Sequence, residues 1–214
     1  MFVLVPFYRI LLHLITHICS QPIIPKVLSL LSGIISLLLF AMGAAGTSWI
    51  YTTNYRFGLF QECANIISGS DGTQTHFWDN CDTVIEPEWY RLLCTVFDLL
   101  AILLTLIGIF MLAVGMISLN VKRKTIMYKV VLVDFALAFI VMAVTVILFP
   151  IQMSEKIRDE PSEKVYVGWS CIVSAVGCLM LITATIFLTV DRKSEEITYR
   201  ETIHRFPGPT EEEG

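Results

Sequence analysis

Four stretches of the chain are long, apolar and almost free of charge. A helix needs about 20 apolar residues to cross the hydrocarbon core of a bilayer, and each stretch meets that length. Backbone polar groups in lipid must be hydrogen-bonded within their own element, so the stretches are predicted to be transmembrane helices. Their predicted ranges are 27–49, 92–119, 126–149 and 165–190.

The composition favours a membrane environment for the whole chain. Of the 214 residues, 55% are hydrophobic and 16% are charged, and the mean hydropathy is +0.70. Soluble domains are about 45–50% apolar and about 25% charged, so this chain has more apolar surface than one soluble core could hide. The net charge of −4 argues against nucleic acid as a partner. Membrane lipid is the expected partner of so apolar a chain. His13 and His17 have the i, i+4 spacing of metal ligands but no third ligand nearby, and no nucleophile–base set is evident, so the sequence predicts neither an enzyme nor a cofactor.

The placement of lysine and arginine predicts the orientation in the membrane. Basic residues cluster between the second and third spans and flank the first and fourth, at Lys26, Lys122, Arg123, Lys124, Lys129, Arg192 and Lys193. Because cytosolic loops carry an excess of Lys and Arg, both termini are predicted to be cytosolic. The loops 50–91 and 150–164 then face outward, although three basic residues in the second loop weaken its assignment.

The two ends of the chain differ in character. Residues 1–25 form an apolar N-terminal segment in which Arg9, His13 and His17 share one helical face. This segment is either a helix lying in the cytosolic membrane interface or a fifth span. Residues 191–214 are polar and charged, and a disordered cytosolic tail is predicted there.

The first outward loop carries the patterns of a small β-sheet domain. Apolar and polar residues alternate where the loop begins, at Trp49, Tyr51, Thr53 and Tyr55, which predicts a strand. A turn is predicted at residues 69–72. Cys63 and Cys81 are the only cysteines in an outward loop, and an oxidising compartment favours a disulfide between them. Such a bond contributes about 3 kcal/mol, which a small sheet with little core of its own needs.

The loop also carries an ordered set of residues that resembles a known membrane family. In chain order the residues are Trp49, Gly58, Leu59, Phe60, Cys63, Cys81, Trp89 and Arg91. The set resembles the W…GLW…C…C motif of the claudin, peripheral myelin protein and epithelial membrane protein superfamily. Phe60 stands where the family usually has Trp, and the 17 residues between the cysteines exceed the usual claudin spacing. A divergent member, such as an invertebrate claudin-like (Clc-like) protein, fits these departures.

The resemblance implies a fold and a function. The implied fold is an all-α, left-handed four-helix membrane bundle over residues 26–190, with a small extracellular β-sheet from the first loop and a contribution from the second. The implied role is in cell–cell junctions, adhesion or paracellular barriers at the plasma membrane, through self-association or contact with related tetraspan proteins in cis or trans. The alternative is an auxiliary subunit of an ion channel or receptor.

Acidic residues supply two further sets of candidate sites. The extracellular set comprises Glu62, Asp71, Asp79, Asp82, Glu86 and Glu88. These acids either favour cations at an intercellular pore or form a solvated surface. Asp98 and Asp134 lie inside predicted spans, where a carboxyl is costly. Each is either a functional residue or a hydrogen-bonded residue between helices, and their different depths argue against a pair.

Small residues repeat at helical spacing and predict how the helices pack. Ala101, Gly108 and Gly115 lie seven apart on the second span, and Ser170, Ser174 and Cys178 lie four apart on the fourth. Small side chains allow close approach of helix backbones in lipid. A packed bundle within one chain is therefore expected.

Overall fold

The structure is a computed structural model that describes residues 24–53, 55–67, 76–84, 88–118, 121–157 and 165–205. The predicted turn at 69–72 lies outside these residues, as does the N-terminal segment except for its last two positions. Four helices dominate the described chain: α1 (Ile24–Ala45), α2 (Trp89–Ile117), α3 (Val121–Ile157) and α4 (Trp169–Arg205). Each is long and apolar enough to cross a membrane, which confirms the four predicted spans.

The helices form a four-membered bundle with an apolar exterior. α1 packs against α4 and α2, and α3 packs against α2 and α4. Large apolar side chains remain exposed on every helix, including Leu38, Leu103, Ile140 and Leu179, each more than half exposed. In water so large an apolar surface would be unfavourable, whereas in lipid it faces its proper solvent. The chain is therefore a multi-pass membrane protein.

A small antiparallel sheet covers one end of the bundle, which we call the sheet end. Its strands are β1 (Ile50–Tyr51), β2 (Tyr55–Phe57), β3 (Gln61–Ile67), β4 (His76–Thr83) and β5 (Tyr166–Val167). They lie in the order β4-β3-β2-β1-β5. The first four strands come from the connection between α1 and α2, and β5 comes from the residues just before α4. The expected sheet with contributions from two loops is therefore present.

The predicted single strand over 49–55 is wrong, because a turn interrupts it at Thr52. The Thr52 amide donates to the Tyr55 carbonyl at 2.8 Å, and the Tyr55 amide donates to Thr52 Oγ1 at 3.1 Å. Serine and threonine hydroxyls can close such turns by bonding to nearby backbone. The chain therefore reverses, and Ile50 pairs with Phe57 in a short hairpin.

Helix α3 runs eight residues past its predicted end at Phe149, through Pro150. A proline inside a helix leaves the carbonyl four residues earlier without its donor, and here that carbonyl belongs to Val146. The thiol of Cys171 on α4 donates to the Val146 carbonyl at 3.8 Å. A donor from the neighbouring helix thus supplies a bond that the helix itself lacks, as proline in a membrane helix requires.

Helix α4 differs from its predicted range at both ends. Residues 166–167 belong to β5, so the helix begins at Trp169 rather than at 165. It continues to Arg205, beyond the point at which a disordered tail was predicted to begin. No glycine or proline occurs between Gly177 and Pro207, so nothing in the backbone chemistry stops the helix earlier. Residues 206–214 of the predicted tail lie outside the described residues.

Small residues at heptad spacing join α1 to α4. Ser29 Oγ donates to the Ala184 carbonyl at 2.8 Å, and Ser36 Oγ donates to the Gly177 carbonyl at 2.9 Å. One heptad further, a Cβ on Gly43 would lie 2.0 Å from Ser174 Oγ. A side chain at Gly43 would therefore clash with α4, so glycine permits the two helices to pack at this position.

Glycines on α2 receive aromatic side chains from α3. A Cβ on Gly108 would lie 2.4 Å from the Phe135 ring, and one on Gly115 would lie 2.9 Å from the Tyr128 ring. Phe135 and Tyr128 are both buried by this packing. The small residues that the sequence placed on one face of the second span thus form a helix interface.

Candidate functional site at the joint between sheet and bundle

Trp49 connects the end of α1 to the sheet and to α3. Its side chain is fully buried, and its indole Nε1 donates to the Gly43 carbonyl at 2.9 Å. The ring meets Phe149 edge-on with 5.5 Å between centroids. Gly43 is near the end of α1, where carbonyls have no partner within the helix, so the indole also caps that helix.

Gly58 and Leu59 form the tight connection between β2 and β3. The Gly58 amide donates to the Gln61 carbonyl at 2.9 Å, and a Cβ on Gly58 would lie 2.9 Å from the Gly46 carbonyl oxygen. Any larger residue would push the hairpin off the end of α1. Leu59 is 2% exposed, whereas Phe60 is 40% exposed.

Arg91, in the first turn of α2, holds the hairpin from the other side. Its Nη2 and Nε donate to the Gly58 carbonyl at 2.7 and 3.2 Å, and its Nη1 pairs with the Glu62 carboxylate. Arg91 itself is 5% exposed. A planar guanidinium can satisfy one carbonyl and one carboxylate at the same time, which an ammonium cannot do with the same geometry.

A disulfide joins Cys63 on β3 to Cys81 on β4, as predicted. The two residues are directly opposite each other in the strand register, with their Cα atoms 4.0 Å apart. Cys63 is also the strand partner of Arg56 on β2, so the covalent bond joins β4 directly to the β2–β3 hairpin that Arg91 holds. The bond therefore fixes the outer strands to the part of the sheet that contacts the bundle.

The start of α4 attaches to the same joint through backbone contacts. The Gly168 amide donates to the Trp49 carbonyl at 2.8 Å, and the Ser170 amide donates to the Ser48 carbonyl at 3.1 Å. A Cβ on Gly168 would lie 2.0 Å from the Ser48 carbonyl oxygen. The sequence reasoning did not single out Gly168, which lay inside the predicted fourth span, although an isolated glycine in a helical pattern was an available signal.

The motif residues thus divide into two groups. Those that converge at the joint are Trp49, Gly58, Leu59, Cys63, Cys81 and Arg91. Phe60 and Trp89 lie outside it, and Trp89 is 68% exposed at the first residue of α2. An exposed tryptophan at that position is typical of a membrane–water interface.

Two of the six candidate outward acids are paired with basic residues. Glu62 pairs with Arg91, and Glu88 pairs with Lys156 at the end of α3. The hydrogen bond from Lys156 is the main reason that the pKa of Glu88 lies below its ordinary value of 4.5. Because its pKa is lowered, ionised Glu88 stabilises the fold at pH values above its ordinary pKa of 4.5. This stabilisation is lost as the pH falls through the pKa of Glu88 in the folded protein. The contribution is small because both side chains are about half exposed.

The environments of the other four candidate acids are described only in part. Asp82 is exposed on β4, opposite Glu62 in the strand register. Asp79 lies on β4 with its side chain outside the described part of the structure, and Asp71 and Glu86 lie outside the described residues altogether.

The two intramembrane acids occupy different environments and are not brought together. Asp98 is fully buried on α2, and neither of its oxygens has a hydrogen-bond partner among the described residues. Asp134 lies on α3 at the contact with α2, where its Oδ2 would be 2.8 Å from a Cβ on Gly108. Asp98 therefore occupies the bundle interior rather than the headgroup layer.

Asp98→Asn is expected to raise the free energy of unfolding by about 1 kcal/mol. The amide has nearly the same shape, and it lacks the carboxylate's cost of burial without a partner. Denaturant titration of the purified protein in micelles measures this, with Thr105→Ser on the same buried face as a small-change control. A loss of more than about 1 kcal/mol would show instead that the carboxyl makes an interaction that the fold needs.

A buried ion pair at the other end of the bundle was not expected from the sequence. Lys26 Nζ lies 3.6 Å from Asp191 Oδ2, and the two residues are 8% and 1% exposed. The pair joins the start of α1 to α4. A lysine before the first span and an aspartate after the fourth were visible in the sequence, but only the packing of these helices makes them neighbours.

Exposed aromatic and apolar side chains surround the joint on the sheet. Tyr51 and Tyr166 stack across β1 and β5 with 5.4 Å between ring centroids, and both are exposed. Tyr55 and Phe60 are also exposed on the β2–β3 hairpin. A rigid platform that presents exposed aromatic groups suits contact with another protein.

Comparison with known proteins adds no relative to this description. No family model matches the chain, and no curated protein matches it at a significant level. The resemblance to the claudin superfamily therefore depends on the motif residues and the topology alone.

Proposed function

We propose that this chain is a claudin-like tetraspan protein of the plasma membrane that acts in cell–cell junctions, adhesion or paracellular barrier formation. Its sheet end faces the extracellular space, both termini are cytosolic, and the bundle is left-handed. The protein meets copies of itself or related tetraspan proteins in cis or trans.

The convergence of motif residues at one joint carries the proposal. Trp49 fixes the sheet to α1, Arg91 fixes it to α2, and the Gly168 amide joins it to the start of α4. The disulfide between Cys63 and Cys81 locks its outer strands. A sheet fixed to three helices keeps its orientation relative to the membrane, since each attachment removes a rotation. A protein that bridges neighbouring cells or chains needs such a fixed orientation.

Two features support an extracellular location of the sheet. The disulfide is favoured in an oxidising compartment. The first turns of α3, at the opposite end of the bundle, contain Lys122, Arg123, Lys124 and Lys129, and the positive-inside rule assigns that end to the cytosol.

Localisation in a polarised cell layer tests the proposal, by comparing the natural chain with Cys63→Ser. The natural chain is expected to concentrate at cell–cell contacts, and Cys63→Ser is expected to lose most of that signal because the sheet loses about 3 kcal/mol. Cys178→Ser is the matched control, since Cys178 is a buried free thiol of α4 far from the sheet.

Two results would contradict the proposal. One is a uniform surface distribution of the natural chain, and the other is a tag near Gly72 that is reachable only from the cytosol. Co-purification with a channel in the absence of enrichment at contacts would favour the alternative function, an auxiliary channel subunit.

A further inference from the structure

Two connected recesses lie at the sheet end, where α2 begins and α3 ends. The inner recess has a volume of about 200 Å³, and its walls include Glu62 and Arg91. The outer groove has a volume of about 370 Å³, and its walls include Trp89, Gln152 and Glu155. The two share Glu88, Tyr90 and Lys156, so they form a continuous polar depression, which we call the α2–α3 groove.

The α2–α3 groove lies at the sheet end of the apolar surface that faces lipid, which we call the apolar belt. Directly below it, Leu92 on α2 is 53% exposed and Ile151 on α3 is 54% exposed. Trp89, at its edge, marks the interface between membrane and water. The charged groups of the groove are thus at the depth of phospholipid headgroups.

The groove presents both signs of charge to a ligand. Arg91 is buried and already bonded to the Gly58 carbonyl and to Glu62, so it is not available. Among the described residues that line the groove, the remaining charged groups are the carboxylates of Glu88 and Glu155 and the ammonium of Lys156. The Glu88–Lys156 pair is 44% and 57% exposed, and exposed pairs exchange partners at little cost.

We propose that the α2–α3 groove binds the zwitterionic headgroup of a phospholipid. The headgroup ammonium lies between the carboxylates of Glu88 and Glu155, and its phosphate replaces Glu88 as the partner of Lys156. The exchange gives each of these charges a neighbour of opposite sign, with the headgroup ammonium shared by the two carboxylates. An anionic headgroup without an amine would place its charge beside two carboxylates with only one ammonium to balance it.

Competition among lipids tests this assignment directly. The purified chain is equilibrated with equal amounts of phosphatidylethanolamine, phosphatidylcholine and phosphatidylglycerol that carry identical acyl chains, and retained lipids are counted by native mass spectrometry. One zwitterionic lipid per chain, either phosphatidylethanolamine or phosphatidylcholine, is expected to be retained. Its retained amount is expected to exceed that of phosphatidylglycerol by at least about ten-fold. Equal retention of all three would overturn the proposal, because it would show ordinary annular lipid.

Variants identify the groove as the source of this preference. Glu88→Gln with Glu155→Gln keeps the shape of the groove, removes both carboxylates, and is expected to reduce the preference to about two-fold or less. Asp82→Asn removes an exposed carboxylate that is not part of the groove, and Arg123→Gln removes a cation at the opposite end of the bundle. Both controls are expected to leave the preference unchanged. An unchanged preference in the double variant would overturn the assignment.

A soluble headgroup separates a lipid site from a site for a free metabolite. Glycerophosphoethanolamine contains the same amine and the same phosphodiester without the acyl chains. It is expected to displace the retained lipid only at concentrations at least about one hundred-fold higher than those of competing lipid, because the apolar belt binds the chains. Displacement at equal concentrations would overturn the lipid assignment.

Discussion

Arg91→Ala is expected to lower the free energy of unfolding by about 3 kcal/mol and to detach the sheet from α2. The substitution removes two hydrogen bonds to the Gly58 carbonyl and leaves Glu62 without its cation. Hydrogen bonds from charged groups contribute about 1.5–3 kcal/mol, and loss of Arg91 also leaves the Gly58 carbonyl without these two donors. Denaturant titration in micelles measures the loss, and hydrogen exchange at residues 55–64 shows where it occurs.

Two further variants show whether geometry or charge is responsible. Arg91→Lys keeps the charge but cannot reach the carbonyl and the carboxylate together, so about half of the loss is expected to remain. Lys156→Ala removes a cation from a half-exposed pair nearby and is expected to change stability by less than about 1 kcal/mol. If Arg91→Ala costs no more than Lys156→Ala, Arg91 does not anchor the sheet.

Trp49→Ala is expected to cost about 4 kcal/mol, the largest effect of any single truncation at the joint. The substitution opens a cavity between α1, α3 and the sheet, and it leaves the Gly43 carbonyl without the indole donor. Truncation of a buried aromatic residue typically costs about 3–5 kcal/mol. The same denaturant titration measures the loss, and intrinsic fluorescence of the remaining tryptophans reports any change in the sheet end.

Trp89→Ala is the matched control, because Trp89 is a tryptophan at the same end of the bundle that is 68% exposed. It is expected to change stability by less than about 1 kcal/mol. Trp49→Phe is expected to cost about 1–2 kcal/mol, since it keeps most of the contact with Phe149 and loses the hydrogen bond. Equal losses for Trp49→Ala and Trp89→Ala would show that burial at the joint contributes nothing.

The helices could be predicted well because their signal is local. A run of about 20 apolar residues specifies a membrane helix whatever its neighbours are, so all four spans were visible in the chain. Their ends were less certain, since the last turns depend on contacts with other elements. α3 passes Pro150 with the help of a thiol on α4, and no local pattern near residue 150 contains that information.

The candidate site could be predicted in part. Cys63 and Cys81 were predictable as a pair because no other cysteine shares their loop, and Trp49, Gly58 and Arg91 were visible as motif residues. Their partners were not predictable. Arg91 is 33 positions from Gly58 in the chain, and Trp49 contacts Phe149, which is on α3. The six candidate acids illustrate the same limit. The sequence did not distinguish Glu62 and Glu88, which form ion pairs, from Asp82, which is exposed.

By itself, the sequence determined that this protein crosses a membrane four times and holds a small sheet by a disulfide. Length, hydropathy and the count of cysteines are properties of single segments, and physical chemistry acts on them directly. Only the tertiary structure decided that Arg91 anchors the hairpin and that β5 completes the sheet. It also decided that Asp98 is buried with no partner in the described part of the chain and that Lys26 pairs with Asp191. These outcomes depend on which helices become neighbours, and the free energy of that choice is shared among residues far apart in the chain.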